Sequence, residues 1–224
     1  MSNLRTNLLA LQERIEAVCH RIGRDPKSVR LVAVSKGVPV ERIREAYECG
    51  LRTFGENYWQ DAREKIPLLP PDIEWHFIGH LQTNKVKYVV GRFALLHVVD
   101  RVSLMQEIQR VASKQGVVQP VLIEVRLSEE ATRAGVPPDE ALALADAVLQ
   151  QPNLSLQGLM GIAPFTDDQS AIREAFRTLR GLFDALPEPN RRWLSMGMSH
   201  DFEIALEEGS NMLRIGTALF GARA

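Results

Sequence analysis

Apolar residues open the chain at alternating steps of four and three. Leu4, Leu8, Leu11, Ile15, Val18 and Ile22 form one stripe of an N-terminal helix that Gly23 ends. The period then changes. Arg30-Leu-Val-Ala-Val-Ser-Lys36 is a β-branched run without polar alternation, the pattern of a strand buried on both faces of a parallel sheet, and it ends in a lysine. A helix follows, opened by Pro39, with Val40, Ile43 and Ala46 on one face and Gly50 as its stop. The unit repeats in type. Further strands are predicted over 51–55, 74–79, 94–99, 121–125, 156–160, 193–196 and 212–215.

Helices are predicted between them. One covers 58–65 and another 82–90; a third begins with Ser103 and Gln106 at capping-box spacing and runs through Leu104, Ile108 and Val111 to Gly116. Pro137, Pro138, Asp139 and Glu140 supply start chemistry for an Ala/Leu-rich helix. Ile172, Phe176, Leu179, Phe183 and Leu186 hold core spacing on the next, and a last one starts near Ser199. Strand and helix patterns alternating to the end, with no linker-like stretch, predict one (β/α)₈ barrel domain over 1–224 with an extra N-terminal helix; a doubly wound open sheet is the alternative.

Composition narrows the function classes. A net charge of −1 and an ordinary 25% of charged residues give no electrostatic case for nucleic acid or an anionic membrane, and Lys85 and Lys87 are too few to change that. Cys19 and Cys49 fall in separate helical patterns, as reduced thiols do in a cytosolic protein. The start, Met-Ser-Asn-Leu-Arg, lacks the basic flank and apolar run of a signal peptide, and no apolar stretch approaches a membrane span. A soluble, cytoplasmic protein is expected.

On a barrel, ligands bind at the C-terminal rim and phosphates favour the loops after strands seven and eight. The first of these, Ser195-Met-Gly-Met-Ser199-His200, passes through a glycine to Ser199, which stands as a natural helix N-cap. The second, Arg214-Ile-Gly216-Thr217, brings another glycine and hydroxyl. Asp201 and Glu203 count against an anion site, since carboxylates near a helix start already complement its dipole. On the last strand Leu213 and Ile215 share one face, so Arg214 points into the barrel, where a charge needs a partner such as Glu124 or Glu56. Lys36 alone would read as a solvated strand end. An amine, an inward arginine and a two-loop anion cradle on one rim match pyridoxal 5′-phosphate (PLP) as cofactor: the aldehyde to Lys36, the ring nitrogen to Arg214, the phosphate to the loops. Arginine stays protonated, so it donates to an unprotonated pyridine and leaves a poorer electron sink. Asn57, His76 and His80 fall near strand ends and could line the same mouth.

The chain resembles the YggS/PROSC family of pyridoxal phosphate homeostasis proteins. The carrying segments are Leu31-Val-Ala-Val-Ser-Lys36, Phe54-Gly-Glu-Asn57, Trp75-His-Phe-Ile-Gly-His-Leu-Gln-Thr-Asn-Lys85, Gly158-Leu-Met-Gly-Ile162, Leu194-Ser-Met-Gly-Met-Ser199-His-Asp201 and Leu213-Arg-Ile-Gly-Thr217. Ala163-Pro164-Phe165 departs from the family pattern. The resemblance implies a fold-type III barrel similar to the N-terminal domain of alanine racemase. It also implies PLP as a Schiff base on Lys36, facing Arg214, with its phosphate near Ser199, Gly216 and Thr217 and Asn57 close by. It implies no established catalysis, a role in balancing vitamin B6 and amino and keto acid pools, and PLP-dependent apo-enzymes as partners. A PLP-dependent amino acid racemase is the alternative, but it would need a second base from an additional domain that this length does not accommodate. A Schiff-base aldolase acting on a phosphorylated sugar is a third reading. A monomer is expected, with no metal.

Overall fold

A computed structural model of the protein describes residues 3–128 and 134–221. Eight parallel strands close into a barrel in sequence order: β1 (Arg30–Val34), β2 (Thr53–Glu56), β3 (Glu74–Phe77), β4 (Leu95–Val99), β5 (Gln119–Arg126), β6 (Leu154–Ile162), β7 (Trp193–Ser195) and β8 (Met212–Ile215). The last pairs with the first, from Arg30 beside Met212 to Ala33 beside Ile215, which excludes the open sheet. The helices are α1 (Asn3–Arg21), α2 (Val40–Glu48), α3 (Trp59–Lys65), α4 (Val86–Val89), α5 (Val102–Gln115), α6 (Ala141–Leu149), α7 (Gln169–Ala185), α8 (Phe202–Glu207) and α9 (Thr217–Phe220).

Side-chain alternation along each strand divides the interior in two. Outward residues such as Ala33, Phe54, Trp75, Phe77, Leu96, Ile123, Leu194, Leu213 and Ile215 join the apolar stripes of the helices in the main core. Inside the barrel Val32, Leu95, Leu122, Met160 and Met212 form a smaller apolar plug. Barrel interiors are ordinarily filled with branched aliphatics, yet here His76, His97, Ser195 and Arg214 lie among them, all buried. α1 lies outside the βα repeat. Leu4, Leu8, Leu11, Ile15 and Val18 of its stripe are buried, Asn7 Nδ2 donates to Leu219 O at 3.1 Å, and Arg14 covers the Phe202 ring at 4.6 Å while pairing with Glu203. Ile22 lies beyond the helix and is exposed.

Several local expectations are corrected. Segment 82–90 is a 3₁₀ turn, Thr83–Lys85, followed by the single turn of α4; its β-branched residues are weak helix formers and no side chain caps it. Ser103 makes no capping box because α5 already begins at Val102, with Arg101 in the N-cap position, which puts the hydroxyl inside the first turn. Pro138–Glu140 is a 3₁₀ turn leading into α6. After β8, Thr217–Phe220 forms α9, and 222–224 lie outside the described residues. No helix among the described residues is long and apolar enough to cross a membrane.

Candidate functional site

A cavity of about 580 Å³ opens at the C-terminal rim and is lined by all six predicted cofactor residues: Lys36, Asn57, Ser199, Arg214, Gly216 and Thr217. Lys36 follows β1 by two residues and is half-buried. Its neighbour Ser35 is fixed by the cluster beneath: the Ser35 hydroxyl donates to Glu56 Oε1 at 2.7 Å, and Lys65 Nζ donates to Ser35 O at 2.8 Å and Glu56 Oε1 at 3.0 Å. Glu56 is fully buried, and burial raises its carboxyl above the usual range while the charge of Lys65 opposes the rise. Phe54 and Glu56 share the outward parity of β2, so Glu56 meets α3 and cannot partner Arg214.

Asn57 is held in place by backbone contact. A Cβ at Gly79 would lie 2.3 Å from Asn57 O, so only glycine lets the loops after β2 and β3 pass this closely. Asn57 Oδ1 is buried with no hydrogen-bond partner. Among the described residues Ser128 Oγ, also on the cavity wall, is likewise unpartnered, and buried polar atoms of this kind call for a partner.

Arg214 points inward as its parity predicts, but its contacts are neutral. Nη1 donates to Ser195 Oγ at 2.6 Å and Nη2 to Gly161 O at 2.9 Å. Glu124 and Asp201 influence its charge without reaching ion-pair distance among the described residues. Burial pulls its pKa down to about 10, still protonated at neutral pH. Burial and the nearby Asp100 charge push Glu124 up to about 7 against the pull of Arg214, so this carboxyl is about half-ionised at neutral pH.

The two rim loops are tied differently from expectation. Ser199 does not cap the helix that follows it. Asp201 stands in the N-cap position of α8 and its Oδ1 accepts the Met198 N–H at 2.7 Å, while Ser199 Oγ accepts the Ala218 N–H in the first turn of α9 at 3.1 Å. The serine therefore stitches the loop after β7 to the loop after β8. Asp201 Oδ1 is engaged by its own loop, but the residue also lines the cavity, so its objection to an anion is only partly met. His80 lines the mouth and is exposed; His76 does not, because it sits on the inward face of β3 below the cavity. His97 was missed altogether, although a lone histidine at inward parity in the apolar run Leu95–Val99 marked it. Phe165, 81% exposed, flanks the mouth against His200. No cluster of three metal-ligating side chains occurs among the described residues.

The chain matches the model of the family "Alanine racemase, N-terminal domain" over residues 6–224. It is also 48% identical to the pyridoxal phosphate homeostasis protein of Aquifex aeolicus over 94% of both chains. The chain belongs to the pyridoxal phosphate homeostasis protein family. Among solved structures, PipY of Synechococcus elongatus PCC7942 with PLP bound superposes with a TM-score of 0.78 at 34% identity, covering 93% of this chain and 100% of that one. An alanine racemase of Clostridium difficile 630 shares the fold alone, with a TM-score of 0.74 at 15% identity over 100% of this chain and 57% of the racemase. This chain is thus an alanine-racemase-type barrel, and it spans nearly the full length of its curated relatives.

Proposed function

We propose that this chain binds pyridoxal 5′-phosphate and serves PLP homeostasis rather than turnover. The observation that carries the reading is the gathering of an amine, a buried guanidinium and two stitched hydroxyl-bearing loops around one cavity, in a family whose PipY relative has been solved with PLP. The donor set fits the group. Lys36 supplies the amine that would hold the aldehyde, Arg214 the N–H facing the ring nitrogen, and Ser199, Gly216 and Thr217 the hydroxyls and close backbone for the phosphate. Asn57 Oδ1, unpartnered and buried, is available to the ring substituents or to the water that solvates them.

When bound, PLP would supply an electrophilic carbonyl and an electron-accepting ring. Arg214 would limit the second property, because a guanidinium keeps its proton and only donates a hydrogen bond, so a ring nitrogen facing it would stay unprotonated. Retention of the cofactor is then favoured over carbanion chemistry, and the absence of racemase activity is part of the proposal. Free Cys19 and Cys49 support a reducing, cytoplasmic setting. A monomer that passes PLP to apo-enzymes completes the reading, with sedimentation as the check on the first point.

The test is the visible spectrum of the purified protein with and without added PLP, followed by borohydride reduction and peptide mapping. A yellow protein whose adduct maps to Lys36 and vanishes in Lys36→Ala is the expected result. A colourless chain that takes up no PLP overturns the proposal, and interconversion of alanine enantiomers that is lost in Lys36→Ala would replace homeostasis with racemisation.

A further inference from the structure

Beneath Arg214, a run of polar side chains that do not line the cavity crosses the barrel interior. Arg214 Nη1 donates to Ser195 Oγ at 2.6 Å, Ser195 Oγ lies 3.2 Å from His97 Nδ1, and His97 Nε2 lies 3.1 Å from His76 Nδ1. His76 Nε2 is 3.0 Å from Glu74 Oε1, and Arg30 Nη1 donates to both Glu74 oxygens at 2.8 and 2.7 Å. The path starts on β8, passes through β7 and β4 to β3, and ends where β1 and β3 begin, at the rim opposite the cavity. Ser195, His97 and His76 are each 0% exposed, so water cannot take over the links among these three.

The ends dictate the direction. Glu74, flanked by Arg30, is ionised and can only accept, so His76 must present Nε2–H to it. Burial keeps both imidazoles neutral. His76 Nδ1 is therefore bare and receives Nε2–H from His97; His97 Nδ1 is bare in turn and receives the Ser195 hydroxyl proton. That leaves the Ser195 lone pairs to Arg214. Reversing a link would set the bare nitrogens of His97 and His76 against each other or, carried along to His76, set a bare nitrogen against the Glu74 carboxylate.

We infer that Ser195, His97, His76 and Glu74 form a one-way hydrogen-bond chain that positions the Arg214 guanidinium and conveys to it the negative charge of a carboxylate at the far end of the barrel. Hydrogen bonds in such a chain polarise one another, so Ser195 becomes a stronger acceptor than a lone hydroxyl. Arg214 is held by a remote anion rather than by one in contact, and this leaves its outer N–H groups for a ligand. Only this last consequence rests on the PLP reading.

The experiment is ¹⁵N NMR of the ligand-free protein with labelled histidine and arginine, in the wild type, Glu74→Gln, Ser195→Ala and Ser195→Thr. In the wild type both rings are expected as pure Nε2–H tautomers. Glu74→Gln, which keeps an acceptor but can also donate, is expected to populate the second tautomer in both rings and to shift the Arg214 guanidinium resonances from across the barrel. Ser195→Ala is expected to release those resonances and Ser195→Thr to restore them. An Nδ1–H or doubly protonated ring in the neutral wild type overturns the inference, as does a Glu74→Gln spectrum in which Arg214 is unmoved. The wild-type spectrum decides the direction even if a variant fails to fold. In the loaded protein the PLP absorbance band should shift in Glu74→Gln while the Lys36 adduct still forms. Failure of the wild type to take up PLP would end the functional proposal and leave the histidine result standing; normal uptake with the wrong tautomers would do the reverse.

Discussion

Replacing Glu124 by glutamine should favour the ligand-free protein progressively more as pH rises from about 4.5, with the full gain reached above pH 7. The residue is 8% exposed on the cavity wall, and folding moves its carboxyl from 4.5 to about 7, chiefly through burial. A folded-state value above the unfolded one means that stability is complete below pH 4.5 and declines as pH rises, because the unfolded chain ionises first; the decline ends once the folded carboxyl has also ionised, above pH 7. At about 1.4 kcal/mol for each tenfold change, the full effect is up to ~3 kcal/mol. Arg214 recovers part of it only in the folded state, and that recovery is already contained in the folded value. Glutamine has the same shape and no charge to lose. Urea denaturation of both proteins at pH 5 and pH 8 isolates the effect, since any fixed penalty of the amide cancels between the two conditions. The variant should gain ~2–3 kcal/mol on the wild type between these conditions. An unchanged difference, or one that shrinks with pH, would show that the Glu124 carboxyl is not desolvated in the folded state.

Lys65→Met should destabilise by about 3–5 kcal/mol, because it strands Glu56 in a fully buried position, whereas Lys65→Met combined with Glu56→Gln should recover most of that loss in the same urea titration. Gly79→Ala should cost roughly 1–3 kcal/mol and weaken PLP uptake, measured by fluorescence titration, since the new Cβ at 2.3 Å from Asn57 O forces the two rim loops apart. Glu74 is held down at about 2, first by the His76 hydrogen bond and then by Arg30, so its contribution is present above pH 4.5 and lost as pH falls through 2. With its side chain 41% exposed, solvent screening leaves about 1 kcal/mol, and the stability gap between wild type and Glu74→Gln should close by that amount on acidification.

Strand number, strand order along the chain and the inward parity of Arg214 were legible in the sequence because each is a local periodicity. β8 coincides with its predicted span, and the others differ only at their ends. What escaped the sequence was set by contacts between segments distant along the chain. Ser199 reads as an N-cap from its neighbours alone, yet its hydroxyl is taken by Ala218 from the next loop. Glu56 and Arg214 are both charged and both on strands, but only alternation relative to the closed barrel shows that one faces α3 and the other the interior. His97, at the inward parity of an apolar strand, becomes informative only once β3 and β7 bring His76 and Ser195 against it.

The electrostatics of the cavity follow from how its charges are partnered. Arg214 is compensated in contact by neutral acceptors and, at longer range, by the Glu124 and Asp201 carboxyls, both of which burial raises. Lys36 and Arg126 line the same space. A full carboxylate in contact with Arg214 would have cancelled its field at short range; hydroxyl and carbonyl partners fix its orientation and leave the field largely intact. Such a field favours a multiply charged anion over a neutral sugar or an amino acid zwitterion, and it would bring an aldehyde-bearing phosphate into the cavity that Lys36 lines. Arg214→Met would therefore weaken phosphate-bearing ligands most and leave pyridoxal, which lacks the phosphate, comparatively unaffected. Equal losses for both in a binding titration would mean that Arg214 acts through ring contact alone and contributes little to the field.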